Sequence, residues 1–272
     1  MISLSKLQQY KAEGTRFSCL TCYDATMAKA MEVAQIDTIL IGDSLGMTIQ
    51  GHDSTLPVTV QDMAYHTRAV RRGNQHALII ADLPFMSYST LPEAIDAARQ
   101  VMQAGAQMIK IEGGAWLADT VRVLAQGGVP TCVHLGLTPQ SVNVFGGYKV
   151  QAKTRSAADQ LLADCEAVVE AGAVMLLLEC VPVQAAREVQ ARFGVPVIGI
   201  GAGVHCDGQV LVMQDMLGLN FGKPARFVRN FLQGQLKDQR SENPIVDAFK
   251  SYHQAVRDGS YPAPEHTFQI EL

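Results

Sequence analysis

The chain has 272 residues, of which 48% are hydrophobic and 18% charged, with a formal net charge of −4 and a sequence pI near 6.0. A single α/β barrel of about 250 residues accounts for that length, so one domain over residues 1–272 is expected. No basic stripe suggests nucleic acid, since Arg71-Arg72 stands alone, and no apolar run reaches the roughly 18 residues of a membrane span.

The first residues, MISLSKLQQYK, carry no apolar signal-peptide core, and SLSKLQQYK predicts a short helix outside the main fold. Strands are predicted over 17–23, 38–43, 78–82, 108–112, 130–135, 174–179, 196–200 and 209–213. Amphipathic helical stretches fill the gaps: ATMAKAMEVAQ, VQDMAYHTRAVRRG, LPEAIDAARQVMQAG, AWLADTVRVLAQGG, AADQLLADCEAVVEAG and PVQAAREVQARFG. Gly73, Gly105, Gly127, Gly172 and Gly194 stand where helix C-caps belong. From about residue 224, FVRNFLQGQL and VDAFKSYHQAV read as the last helices.

Strand and helix alternating throughout mean a parallel sheet, and eight strands point to a closed (β/α)8 TIM barrel with extra terminal helices. The open doubly-wound alternative needs a glycine fingerprint after the first strand, which CLTCYDATM lacks. The six cysteines follow neither disulfide-framework nor zinc spacing. Cys19 and Cys22 form a C-x-x-C inside an apolar run and read as buried structural thiols. A cytoplasmic protein is expected.

Four apolar runs end in a carboxylate: Asp43 in TILIGDS, Asp82 in LIIADLP, Glu112 in MIKIEGG and Glu179 in MLLLECV. An acid is costly to bury, so strands ending this way suggest a wet or metal-bearing cleft. In a barrel all these ends converge on one face, where active sites lie. Strand alternation puts Lys110 and Glu112 on one face, pointing towards the axis, with Ile109 and Ile111 against the helices. Asp43, Asp82 and Glu112 come from neighbouring strands and suit Mg²⁺; Glu179, across the mouth, suits a general base. Taken singly, Asp43-Ser44 and Asp82 could be helix caps or turn formers. Lys110 could snorkel to water or bind a substrate carboxylate, and His134 could be a satisfied core histidine or a catalytic one. GIGAG (199–203) is a weak phosphate-loop signal, and Asp24, Asp207 and Asp215 read as structural.

At these residues the chain resembles the ketopantoate hydroxymethyltransferase family. The likeness rests on GDSLGM (42–47), GHDSTLPVTVQDMAYHTRAVRRG (51–73), ADLPFMSY (81–88), KIEGG (110–114), HLGLTPQSVNVFGGYKVQ (134–151), LLLECVP (176–182), GIGAG (199–203) and DGQVLVMQDMLG (207–218). By motif, the resemblance implies metal-binding acids at Asp43, Asp82 and Glu112 and substrate contacts at Asp43, Ser44, Asp82 and Lys110. It further implies a proton acceptor at Glu179 and an active-site histidine at His134.

The implied reaction moves a hydroxymethyl group from 5,10-methylenetetrahydrofolate to 3-methyl-2-oxobutanoate, with Mg²⁺ stabilising an enolate and 2-dehydropantoate as product. A homo-oligomer, a homodecamer, is implied too. The implied substrate carries no phosphate, which removes the phosphate reading of GIGAG. Relatives commonly carry Gly before the matching histidine and Gly-Arg after KVQ, where this chain has Val133 and Ala152-Lys153. Two rival classes are a metal-dependent carbon–carbon lyase of the phosphoenolpyruvate mutase and isocitrate lyase type, and a non-catalytic barrel. The first often carries a loop cysteine after strand 4, absent from IEGGAWLAD; the second would have lost the acids.

Overall fold

The computed structural model describes residues 1–236 and 241–270. Eight parallel strands close into a barrel in sequence order: β1 Phe17–Thr21, β2 Thr38–Ile41, β3 Leu78–Asp82, β4 Met108–Glu112, β5 Thr131–Gly136, β6 Met175–Glu179, β7 Val197–Ile200 and β8 Gly208–Leu211. The helices are α1 Leu4–Glu13, α2 Ala25–Val33, α3 Leu45–Thr48, α4 Val60–Gly73, α5 Leu91–Gln103, α6 Ala118–Gln126, α7 Val142–Phe145, α8 Arg155–Glu170, α9 Val183–Arg192, α10 Met213–Met216, α11 Leu232–Gln235 and α12 Pro244–Asp258. Every strand is buried along nearly its whole length, as a sheet covered on both faces requires. This is the (β/α)8 barrel with extra terminal helices that the alternation predicted.

Local chemistry starts and stops these elements. Thr59 and Asp62 form a reciprocal capping box that opens α4. Asp24 caps α2 by accepting from the Met27 amide. Asn243 caps α12, Pro244 takes its first position, and Gly259 closes it in the left-handed region at φ 77. α12 then covers the seam where the barrel closes: the Tyr252 hydroxyl lies 2.8 Å from the Gln209 carbonyl oxygen and 3.0 Å from that of Cys19, one on each closing strand. Among the described residues no helix is long and apolar enough to cross a membrane.

Several expected boundaries shift. β2 stops at Ile41, which leaves Asp43 in the loop beyond the strand. β8 stops at Leu211 because the chain turns into α10 at Met213. The stretch 227–236 forms only the short α11, restarted by Asn230, whose side chain accepts from the Leu232 and Gln233 amides. Of the expected C-cap glycines, Gly105 and Gly172 follow helices with positive φ, but Gly128 takes that conformation in place of Gly127. Gly73 serves close packing instead: a β-carbon there would lie 2.2 Å from the Ala25 carbonyl oxygen. All six cysteines are free and buried. Burial pushes the Cys19 and Cys22 thiols up to about 12, which suits structural thiols and not a redox pair.

Candidate active site

Barrel register assembles the charged residues. Asp82 pairs with Lys110, Glu112 with His134, and Gly136 with Glu179. Residues two apart on a strand share a face, so Lys110 leads to Glu112 and His134 leads to Gly136. The side chains thus climb a staircase, two residues per strand, that follows the stagger of a closed barrel. The lower steps are deeply buried: Asp43, Asp82, Lys110, Glu112 and His134 all lie at or below 4% exposure. Glu179 stands at the top, its side chain 15% exposed.

The contacts run along that staircase. Lys110 Nζ lies 3.1 Å from Asp82 Oδ2 and 3.3 Å from Glu112 Oε1. His134 Nδ1 is 3.0 Å from Glu112 Oε1, and its Nε2 lies 3.4 Å from Glu179 Oε2. That last pair is close enough for charge attraction, but its geometry makes no hydrogen bond, which leaves Nε2 buried without a partner. Asp43 joins from the β2 loop: its amide donates to Asp82 Oδ2 at 3.0 Å. Ser44 follows, its hydroxyl 2.7 Å from that of the buried Tyr23.

Charge states follow from these neighbours. Burial, together with Asp82 and Glu112, raises the Asp43 carboxyl well above its usual range. Burial also raises Asp82, against the pull of Lys110. Burial would raise Glu112 too, but Lys110 and His134 overcome it and bring Glu112 down to about 2. Burial and Lys110 act to lower His134, yet Glu112 and the contact with Glu179 lift it to about 9. Burial is likewise outweighed at Lys110, where Asp82, Glu112 and Asp43 raise it well above the ordinary lysine value. Lys110 Nζ also lies 3.3 Å from His134 Nδ1, so the shifts favour the charged forms of Lys110, Glu112 and His134 within one tightly packed cluster and the neutral form of Asp43.

All the sequence-predicted site residues come together here. His134 does not end its strand: β5 runs on to Gly136, which sinks the ring one step below the rim. Among the described residues no three His, Cys, Asp or Glu side chains converge as a metal-binding group. The reason is visible at Glu112, whose Oε1 faces Lys110 and His134 while Oε2 accepts from the Gln140 amide at 3.0 Å. Asp82 differs, since its Oδ1 is buried with no hydrogen-bond partner.

Asp207 is structural, as read: it takes Lys11, Gln190 and the Val197 amide, away from the acidic staircase. Glycines of GIGAG make room for side chains, as at Gly199, where a β-carbon would lie 2.7 Å from Cys206 Sγ. The residues that sequence reasoning missed are Tyr23, Tyr88, Gly136 and Gln140. Gly136 carried a signal in HLGLT: it sits at φ +87, and a β-carbon would lie 2.5 Å from the Glu179 carbonyl oxygen.

Comparison with known proteins adds to this geometry. The family model described as ketopantoate hydroxymethyltransferase matches residues 1–264. The 3-methyl-2-oxobutanoate hydroxymethyltransferase of Acinetobacter baylyi is 72% identical over 273 residues, covering 100% of both chains. Among solved structures, phosphonopyruvate hydrolase in complex with oxalate and Mg²⁺ superposes with a TM-score of 0.62 at 13% identity, over 97% of this chain and 100% of that one. Phosphoenolpyruvate phosphomutase from Streptomyces platensis subsp. rosaceus gives 0.60 at 13% identity, over 80% of this chain and 82% of that one. At such low identity these structures speak to the fold alone.

Proposed function

The chain belongs to the ketopantoate hydroxymethyltransferase family, and from that premise we propose that its barrel joins the one-carbon unit of 5,10-methylenetetrahydrofolate, with one water, to C3 of 3-methyl-2-oxobutanoate as a hydroxymethyl group, yielding 2-dehydropantoate and tetrahydrofolate. The observation that carries this reading is the buried Lys110 ammonium held 3.1 Å from Asp82 and 3.3 Å from Glu112, below a more exposed Glu179. A fixed cation at the bottom of an acid-lined pit suits a small anionic oxo acid, and the acids suit a cation that the oxo acid would share.

The donor set fits Mg²⁺. Asp43 and Asp82 are the residues that would hold it, because Asp82 keeps one buried oxygen free of hydrogen bonds and Mg²⁺ takes one or two carboxylates. Glu112, with both oxygens engaged, would act through the waters Mg²⁺ retains. When bound, the metal would draw charge from the keto oxygen and so acidify the neighbouring carbon. Lys110 would neutralise the substrate carboxylate and restrain charge developing on the oxygen. Ser44 would bind the same end of the substrate through its hydroxyl. Glu179, on the far side, would remove the C3 proton as general base. His134, cationic beside it, would hold the carboxylate in place and donate from Nε2 to oxygen on the incoming carbon. The lyase reading has only a low-identity likeness of fold in its favour. A cytoplasmic homo-oligomer, a homodecamer, belongs to the same proposal and rests on family membership.

Proton exchange tests the chemistry without the folate. Solvent deuterium should enter C3 of the oxo acid when Mg²⁺ is present, and Glu179→Gln should abolish that entry while oxo-acid binding persists. Exchange at the wild-type rate in the variant removes Glu179 from the reaction.

A further inference from the structure

Gln140 occupies the centre of a buried polar junction that the chemistry above does not use. It lies at 6% exposure, in the 3₁₀ turn Pro139–Ser141 just after β5. Thr138 before it is extended, as the residue preceding a proline must be, and the turn then folds the chain inward over the strand ends. From there Gln140 reaches three other strand ends. Its Nε2 donates to Asp43 Oδ2 at 2.8 Å and to the Leu83 carbonyl oxygen at 3.0 Å. Its Oε1 accepts from the Tyr88 hydroxyl at 2.6 Å. Its backbone amide donates to Glu112 Oε2 at 3.0 Å.

The amide can stand only one way round. The Leu83 carbonyl is purely an acceptor, so the group facing it is the NH₂. Tyr88 agrees, because its one proton has the shorter contact to Gln140 Oε1 at 2.6 Å than to the Glu112 carbonyl oxygen at 3.2 Å, while its oxygen accepts from the Glu112 amide at 3.2 Å. A flipped amide would set oxygen against the Leu83 carbonyl and Asp43 and leave buried polar groups unpaired.

The junction divides the oxygens of both acids that would hold the metal. Asp43 commits Oδ2 to Gln140, and among the described residues no hydrogen bond engages its Oδ1. Asp82 commits Oδ2 to the Asp43 amide and Lys110 and leaves Oδ1 buried and unpaired. We propose that Gln140 is a positioning residue for the metal site: its side-chain amide, oriented by Leu83 and Tyr88, turns the Asp43 carboxylate so that one oxygen stays free for a divalent cation beside Asp82 Oδ1. The inference rests on the Mg²⁺ reading of the site. Partners of this kind, standing behind the ligands, set ligand orientation and with it metal affinity.

Mn²⁺ binding by calorimetry, with metal-free thermal unfolding alongside, tests it. Gln140→Leu removes the amide and keeps the backbone bond to Glu112; it should weaken Mn²⁺ about 10–100-fold. Tyr88→Phe keeps the Gln140 amide but removes the contact that orients it, along with the hydroxyl's contacts to the Glu112 backbone, and it should weaken Mn²⁺ less. Oxo-acid binding measured without metal should change in neither variant. Wild-type Mn²⁺ affinity in a folded Gln140→Leu overturns the proposal, as does a fall in Mn²⁺ and metal-free oxo-acid binding by equal factors. A wild-type protein that binds no Mn²⁺ overturns the metal reading itself.

Discussion

Lys110→Met asks whether the pit is organised around a buried cation. Methionine keeps the length of the side chain and removes its charge, leaving Asp43, Asp82 and Glu112 together below the surface. Removing one partner of a buried ion pair costs about 3–5 kcal/mol. Lys110 stands 3.1 Å and 3.3 Å from two acids, so the upper part of that range applies, moderated because one carboxyl can take up a proton. At roughly 2–3 °C per kcal/mol for a chain of this size, Tm should drop by about 6–15 °C near pH 8 without metal. The sign of the pH effect is fixed. Lys110 helps hold Glu112 down at about 2, so in the variant that carboxyl rises and protonates more readily in the fold. The loss of stability should therefore shrink as pH falls towards about 5. Mg²⁺ should also recover part of it, by supplying positive charge to the same acids. Thermal unfolding at the two pH values, with chelator and with Mg²⁺, measures all of this. An unchanged Tm near pH 8, or a deficit that grows on acidification, would refute the argument.

Two further substitutions probe the scaffold. Burial alone raises Asp215 to about 6, so its acid favours the neutral form in the fold and costs stability above about pH 6 but not below about pH 4. Discounted for partial exposure, Asp215→Asn should stabilise by about 1–2 kcal/mol near pH 8, a gain that unfolding scans should see vanish on acidification; a gain independent of pH would count against it. Ala152 sits at φ 51, a conformation that costs an L-residue roughly 1–2 kcal/mol and glycine none. The greater unfolded-state freedom of glycine and the loss of the buried Ala152 methyl offset most of that relief, so Ala152→Gly should leave stability within about 0.5 kcal/mol of wild type. A larger fall, read from Tm, would show the position is not strained.

The Ala152 case shows where reading from sequence stops. The departure from relatives at 152–153 was visible, but the backbone angle that gives it meaning was not. Strand-to-helix alternation made the barrel legible because each βα unit is a local pattern of residues. Boundaries such as the early end of β2 and the short α11 depended on neighbours in space, and no periodicity encodes those. His134 illustrates the difference: its strand was legible, whereas its depth came from two further residues of pairing to β6.

The site divides along the same line. Alternation within one strand states which face a residue uses, which was enough to turn Lys110 and Glu112 inward together. Register between strands states which residues become neighbours, and it follows from closing the barrel with a stagger. Only closure sets Asp82 beside Lys110, Glu112 beside His134 and Glu179 beside Gly136. It also separates the acids in depth: the stagger carries Glu179 to the rim while the acids of β3 and β4 stay in the pit. Gln140 escaped notice for a stronger reason. Glutamine has no charge to be expensive when buried, so TPQS offers no sign of conflict until the turn brings its amide under Asp43. A charged residue at a strand end announces a site by its cost; a neutral amide that orients one does so only through its hydrogen-bond geometry.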